Sequence, residues 1–391
     1  MIRPRLVIGR GKEKALLRRH PWVFSGAVAR TDGHPAEGDV VDVVDAEGRW
    51  MAAGHYQSGT IICKVLSFDT PNVEGEYIEE LVKSAIVYRR RMGFFDNKAT
   101  NVFRLVHAEG DGLPGLVCDY YGGLLVMQAH SVGMHRLFNQ LTEVFRRSLG
   151  NDIKAVFDKS SATLPMATVD GYLWGEERGS WTVLENGIAI EVNPFEGQKT
   201  GFFIDQRDNR ALLSTLAGGC RVLNCFGYTG GFSLAALKGG ATQVDTVDIS
   251  KKAIALANSN VETNFGSDVN HRGIVADVMQ YLDTIDNHYD IIVLDPPAFV
   301  KSHHQLQQGL KGYRSINQRA LQRLPVGGLL MTFSCSQAVS ADDFRTTLFT
   351  AAANAHRNVR IVKVLPHAAD HPVSIFHPEG EYLKGLLLQV E

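Results

Sequence analysis

The chain is short of several things, and each shortage closes off a class of protein. It has five cysteines in 391 residues: Cys63, Cys118, Cys220, Cys225 and Cys335. None forms a CxxC pair and the number is odd, which argues against a disulfide framework or a structural zinc site. It lacks an excess of either charge: 40 basic and 42 acidic residues leave a formal net charge of -2. Bulk charge therefore does not hold it on nucleic acid, although a local basic patch stays open. The opening MIRPRLVIGRGKEK has no apolar core of the kind a signal peptide needs. The charge-free stretch 324–341 is interrupted by Gly327, Gly328 and several hydroxyl residues, so it is not a membrane span. Internal repeats and low-complexity segments are missing too. The remainder, 45% hydrophobic and 21% charged, is the composition of a globular protein of two or three domains, with a cytoplasmic location expected and no membrane contact.

The strongest local signal is at 221–250, RVLNCFGYTGGFSLAALKGGATQVDTVDIS. A short apolar strand at 222–223 leads into a loop containing Gly227, Gly230 and Gly231. An apolar helix at 232–237 stops at Gly239-Gly240, and a second strand at 244–247 ends on Asp248. Strand, glycine turn, helix, strand and acid make half of a doubly wound α/β nucleotide site. The run GYTGG lacks the dinucleotide spacing. A pyrophosphate needs a helix N-terminus aimed at it. S-adenosylmethionine (SAM) carries no phosphate and needs only a tight turn, so FGYTGGFS fits that ligand better.

Before this stretch the chain reads as two smaller modules. Up to about Asp69 it is β-rich, with strands at 40–44 and 61–68. Arg3, Arg5, Arg10, Lys12, Lys14, Arg18, Arg19 and Arg30 face the single acid Glu13, with His20, Pro21, Trp22 and Phe24 among them. Cations interleaved with aromatics suit phosphate contacts and base stacking. Composition equally allows Trp22 and Phe24 as core beside solvated cations. A linking helix at 71–91 closes on Arg89-Arg90-Arg91, a positive end that complements the helix dipole or simply ends a connector. From Phe103 to about Glu185 comes a small α/β unit with a hairpin at 116–128 and a helix at 132–149, but no catalytic constellation. A second hairpin is expected from strands at 188–193 and 200–204. Beyond it strands alternate with helices, which means a parallel sheet.

Three acids end three successive strands of that sheet: Asp248, Asp277 and Asp295. Open α/β sheets bind ligands at the carboxyl ends of their strands. Asp248 is placed to hold a ribose and Asp277 to reach an adenine amino group. Asp295 opens Asp295-Pro296-Pro297-Ala298-Phe299, a loop stiffened by two prolines that can hold a planar base by its edge. Cys335, in FSCS, ends the next strand, where a thiolate could act as a nucleophile. Methylation of a pyrimidine at C5 needs both groups: a thiolate adding at C6 makes C5 nucleophilic, and an acid near N3 stabilises the charge that develops.

DPPAF beside FSCS, with CFGYTGGFS, TGFFIDQRDNR, RRHPWVFSGAV, EGDGLPGLVCDYYG and ADHPVSIFHPEGEYLKG, resembles the ribosomal RNA large subunit methyltransferase I family nearly end to end. Those are bacterial SAM-dependent 23S rRNA cytosine-C5 methyltransferases. The resemblance implies a PUA-like RNA-binding domain at 1–70, a linking helix and middle α/β domain at 71–185, and a Rossmann-like catalytic domain at 186–391. It places the family's nucleophile on Cys335 and its acid on Asp295. It implies cofactor contacts at Phe203, Asp205, Gln206, Asn224, Phe226, Gly227, Thr229, Gly230, Asp248, Asp277, Asp295 and Pro296. On the RNA side stand Arg18, Arg19, Trp22, Pro297 and Phe299. The implied partner is 23S rRNA, and some related proteins pair as homodimers.

The chain departs from the family at Ala298, where members often carry lysine; it also lacks the DPP-loop cysteine that many RNA cytosine-C5 enzymes use for product release, so C5 proton abstraction and release need another group. Glu381 and His371 are the candidates left for that task. Methylation of uracil C5 or another RNA base, or a non-catalytic SAM- and RNA-binding role in ribosome assembly, are the rival readings.

Overall fold

The computed structural model describes residues 3–286, 289–300 and 303–391. The chain divides into two compact units, and each is assembled from separated stretches. The first takes Met1–Glu185, Glu191–Ile204 and Ala369–Gly380; the second takes Asn186–Ile190, Asp205–Ala368 and Glu381–Glu391.

Among the described residues the first unit holds two larger sheets. One has six strands in the order Trp22–Phe24, Ile61–Ser67, Trp50–Tyr56, Val40–Val44, Arg5–Ile8, Val28–Asp32. The β-branched alternation of VVDVV turns Val41 and Val43 inward, where they join Leu6, Ile8, Val23, Ala52, Cys63 and Val65 in one core. Gly54 is required there: a Cβ would lie 2.1 Å from the Lys64 carbonyl oxygen on the neighbouring strand. The other sheet has five strands, Gly171–Gly175, Ala155–Asp158, Leu124–Ala129, Leu116–Tyr121 and Val102–His107, and the hairpin expected at 116–128 is its middle. The helix expected over 132–149 is divided into Val132–Arg136 and Phe138–Leu149.

Helix Glu76–Arg91 buries Ile78, Val82, Ala85 and Ile86 at helical spacing, and it buries Arg89 as well. That arginine is not a solvated end charge. Its Nη2 donates 2.8 Å to Asp111 Oδ2 and 2.8 Å to the Asp370 carbonyl, and its Nε donates 2.9 Å to the Arg104 carbonyl. Arg104 in turn holds the fully buried Asp119, its Nε and Nη2 donating at 2.8 and 3.0 Å. Stretch 369–380 is thus tied into the first unit by buried charge and backbone together.

The second unit is a seven-stranded sheet in the order His271–Val275, Gln243–Asp248, Arg221–Cys225, Ile291–Leu294, Leu329–Ser334, Lys384–Val390, Val359–Val364. The first five run parallel; Lys384–Val390 lies antiparallel between Leu329–Ser334 and Val359–Val364. The central strands Ile291–Leu294 and Leu329–Ser334 are the buried, near-continuous apolar runs that a parallel sheet covered on both faces needs, while the edge strand His271–Val275 is half-exposed. Strand order reverses beside Arg221–Cys225, which makes the carboxyl edge there the topological switch point.

One expected hairpin is not formed. Ile188–Val192 is a strand, but 200–204 is not. The chain there makes a bridge between Gln198 and Gly201 and then a 3-10 turn at Ile204–Gln206. The physical reason is Thr200: instead of standing alternately up and down in a ladder, it donates to the buried Asp119 and bonds the Tyr121 hydroxyl at 3.0 Å. No described helix is long and apolar enough to cross a membrane.

Candidate active site

The turn after Arg221–Cys225 is built by positive φ angles at Phe226 (59°), Tyr228 (44°) and Gly230 (83°). Gly227 sits where a Cβ would meet Thr246 Cγ2 at 2.2 Å, so the backbone lies directly against the neighbouring strand. Its N–H donates 3.1 Å to the Val247 carbonyl, and Gly230 N–H donates 2.7 Å to the Gly227 carbonyl. Thr229 is buried and its carbonyl accepts from Asn260 Nδ2 at 3.0 Å. Asp248 ties this turn to its own: Oδ2 accepts from Tyr228 N–H at 3.1 Å and Oδ1 from Ser250 N–H at 2.8 Å. Each carboxylate oxygen keeps a second lone pair for a ligand hydroxyl.

Asn224 is part of the foundation under the turn. It is 1% exposed, and its Nδ2 donates 2.9 Å to Ser233 Oγ, which bonds Thr246 Oγ1 at 2.6 Å. Its Oδ1 has no hydrogen-bond partner among the described residues. Cys225 is fully buried, and burial pushes its thiol far above the ordinary range, so it is core and not a loop-lining group. Asp277 N-caps helix Val278–Thr284, with Oδ1 accepting from Gln280 N–H at 3.0 Å.

The neighbouring parallel strands Ile291–Leu294 and Leu329–Ser334 end side by side, which brings Asp295 and Cys335 to one edge. Cys335 Sγ donates a weak hydrogen bond to the Pro296 carbonyl at 3.8 Å. Asp295 Oδ1 accepts from Gln206 Nε2 at 3.1 Å; Asn209 holds Gln206, its Nδ2 donating 2.7 Å to Oε1. Asp205 accepts from the Tyr382 hydroxyl at 2.7 Å, and its carbonyl accepts from Ala368 N–H. The carboxylate, the Pro296 carbonyl and the thiol are therefore each held by a neighbour.

The DPP loop is braced from behind. Ser336 Oγ accepts from Val300 N–H at 3.2 Å and bonds the buried Tyr313 hydroxyl at 2.9 Å. Burial raises the Tyr313 phenol, keeping it a neutral partner. Phe299 packs on Tyr313 with ring centroids 4.7 Å apart. Pro296 is buried and Pro297 exposed, so of the loop's apolar residues it is Pro297 that stands open to a ligand.

The other sequence candidates, Glu381 apart, fall in the first unit. Phe203 lies under the Lys199 ammonium, 4.6 Å from ring centroid to Nζ. Arg18 is exposed, whereas Arg19 is clasped by both oxygens of Asp69 at 3.0 and 2.6 Å and lies over Phe68. Trp22 is half-buried: its indole donates 2.8 Å to Glu109 and its ring packs 4.4 Å from His377. Of that basic-aromatic stretch, Phe24 is exposed, as are the cations Arg5, Arg10, Lys12, Lys14, Arg18, Arg19 and Arg30. His371 is buried with Nδ1 3.0 Å from Asp370, and Glu381 is exposed in the second unit. Sequence reasoning missed Gln206's support at Asn209, the Tyr313–Ser336 brace, and Lys384, whose lone positive charge at the head of the apolar run KGLLLQV was the available signal.

Comparison with known proteins agrees with this geometry. A family model for S-adenosylmethionine-dependent methyltransferases matches residues 132–375, and one for PUA-like domains matches 6–68. A Klebsiella pneumoniae protein named ribosomal RNA large subunit methyltransferase I is 37% identical over 403 positions, covering 99% of this chain and 98% of the relative. An Escherichia coli protein of the same name is 38% identical over 400 positions, covering 99% of each. Among solved structures, one described as a SAM-dependent methyltransferase from Streptococcus mutans superposes with a TM-score of 0.86 at 24% identity, covering all of both chains. Another, described as a methyltransferase complexed with SAH, gives 0.87 at 24% identity, again over all of both chains. The fold, a PUA-like N-terminal domain with a Rossmann-like methyltransferase sheet, is shared with them from end to end.

Proposed function

The chain belongs to the ribosomal RNA large subunit methyltransferase I family, and from that premise we propose that it methylates C5 of a cytosine in 23S rRNA through a covalent cysteine adduct. The observation that carries the reading is Cys335 Sγ at 3.8 Å from the Pro296 carbonyl, a nucleophile set against a rigid DPP loop whose first residue is a carboxylate.

SAM is the cofactor of this family. The residues present fit it: the glycine turn approaches closely, Asp248 offers two carboxylate oxygens, and Asp277 keeps one oxygen outside its cap. When bound, SAM supplies an electrophilic methyl group. Asp248 holds the ribose hydroxyls, and the Phe226–Gly231 turn keeps that carboxylate oriented. Asp248→Ala is expected to weaken SAM binding about 10–100-fold, the worth of charge-assisted hydrogen bonds of about 1.5–3 kcal/mol. Titration calorimetry reads it directly, and an unchanged Kd would move the ribose elsewhere.

The target base enters unpaired against Pro297. The Cys335 thiolate forms a bond to C6, and the electron pair of the C5–C6 double bond makes C5 nucleophilic. Asp295, held by Gln206, faces the base edge at N3, where charge develops. After C5 takes the methyl, its proton leaves to a base. The C5–C6 double bond re-forms and Cys335 departs as thiolate. The exposed Arg18 and Phe24 supply an RNA contact surface in the PUA-like domain.

The reading is tested by incubating the protein with labelled SAM and protein-free 23S rRNA from a strain lacking the gene, then identifying the nucleoside by mass spectrometry. 5-Methylcytidine is the expected product. 5-Methyluridine or an N-methylated base would replace the substrate assignment, and SAM binding without any product would favour an assembly role.

A further inference from the structure

Lys384 is a buried lysine with no part in the mechanism so far. It opens strand Lys384–Val390 and pairs in register with Ser334, the residue before Cys335. Its Nζ donates 2.6 Å to the Ser336 carbonyl and 2.7 Å to the Tyr382 carbonyl. The ammonium is thus fixed behind the peptide that carries the nucleophile. Two carbonyls satisfy hydrogen bonds but do not cancel a charge, and a buried cation without a counter-charge is costly. A neutral donor would clamp the same carbonyls at a lower cost. The charge itself therefore calls for an anion nearby, and the reactive thiol one residue away supplies one when ionised.

We propose that Lys384 is the charge partner that holds Cys335 as a thiolate, positioning and activating the nucleophile without touching substrate. This rests on Cys335 being the nucleophile. The ionisable groups facing Lys384 are Cys335 and Glu381, both of which raise its pKa against the stronger effect of burial, which brings it down to about 8. Tyr313, on helix Leu306–Arg323, also faces Cys335. Glu381 is exposed and screened by water, which leaves the half-buried Cys335 as the less screened counter-charge. The coupling is reciprocal: a positive ammonium favours loss of the thiol proton, and the thiolate keeps the lysine protonated.

The test is the pH dependence of Cys335 alkylation by iodoacetamide in the full chain, read on the Cys335 peptide by mass spectrometry. Lys384→Met is expected to raise the midpoint by about 1–2 pH units and slow alkylation at pH 7 about 10–100-fold. Lys384→Arg, which keeps the charge, is expected to stay near the wild-type midpoint. Lys384→Gln keeps a donor for the clamp but not the charge, so it is expected to follow Met. It also serves in place of Met if that variant fails to bind SAM. In methyl transfer, kcat at pH 7 is expected to fall with alkylation while SAM affinity is retained, and raising the pH is expected to recover part of it. A midpoint unchanged in both neutral variants would overturn the proposal and leave Lys384 a clamp. Failure of the nucleophile reading shows separately, as methyl transfer that survives Cys335→Ser.

Discussion

Cys335→Ala is expected to lose methyl transfer by at least about 10⁴-fold with SAM affinity unchanged, since removing a covalent nucleophile takes away the route itself and not a share of the binding. The two halves of that expectation rest on separate parts of the site. The thiol stands at the end of Leu329–Ser334, against the Pro296 carbonyl. The turn proposed to meet the cofactor stands at the end of Arg221–Cys225 and is fixed by Asp248 and Asn260. Cys335→Ser is expected to be as inactive, because a hydroxyl is scarcely ionised where a thiol is. RNA carrying 5-fluorocytidine at the target sharpens the result. Fluorine cannot leave C5 as a proton does, so the adduct is trapped and protein and RNA migrate together in a denaturing gel. That band is expected with wild type and not with Cys335→Ala. Methyl transfer that persists in the alanine variant would exclude the adduct and point to an exocyclic nitrogen.

The second large effect is on stability. Arg89→Met is expected to destabilise the first unit by about 3–5 kcal/mol, the usual cost of leaving one half of a buried ion pair alone. Arg89 is fully buried and Asp111 nearly so. Asp111 also accepts from His107 N–H at 2.6 Å, so it cannot turn away to water without breaking a second contact. Loss of Arg89 also strips the Asp370 and Arg104 carbonyls of a donor. Adding Asp111→Leu to Arg89→Met is expected to recover part of the loss, because the stranded carboxylate then disappears. Urea unfolding of the two variants measures both steps. A single-variant loss below about 1 kcal/mol would show that water reaches the pair.

How much of this was legible in the sequence depends on the range over which each feature is encoded. The parallel strands were legible because each is a short apolar run closed by a turn residue or an acid, a pattern written within ten positions. Asp295 and Cys335 were legible because strand ends in such a sheet share an edge. The strands Val359–Val364 and Lys384–Val390 were not: the first is largely exposed, and the second is an apolar run that reads equally as helix or strand. Trp22 was ambiguous because its partner Glu109 is 87 positions away. Arg89 read as a dipole-complementing end charge because Asp370 lies 281 positions further on. Lys384 showed in the sequence only as a lone charge at the head of an apolar run, since strand pairing alone brings it beside Ser334.

The same long reach bears on how the protein comes into being. A chain emerging from the ribosome folds what it has, and units made of one continuous stretch finish early. Neither unit here can do so. The first waits for Ala369–Gly380, which supplies the carbonyl that Arg89 grips. The second waits for Glu381–Glu391, whose strand fills the gap between Leu329–Ser334 and Val359–Val364. Until then Leu330 is paired on one side only, with Ile292, and the edge that Leu388 covers in the finished sheet stays open. A nascent chain released early would thus display two incomplete cores at once, with an open strand edge in one of them. Quality control would meet it as a single defective object.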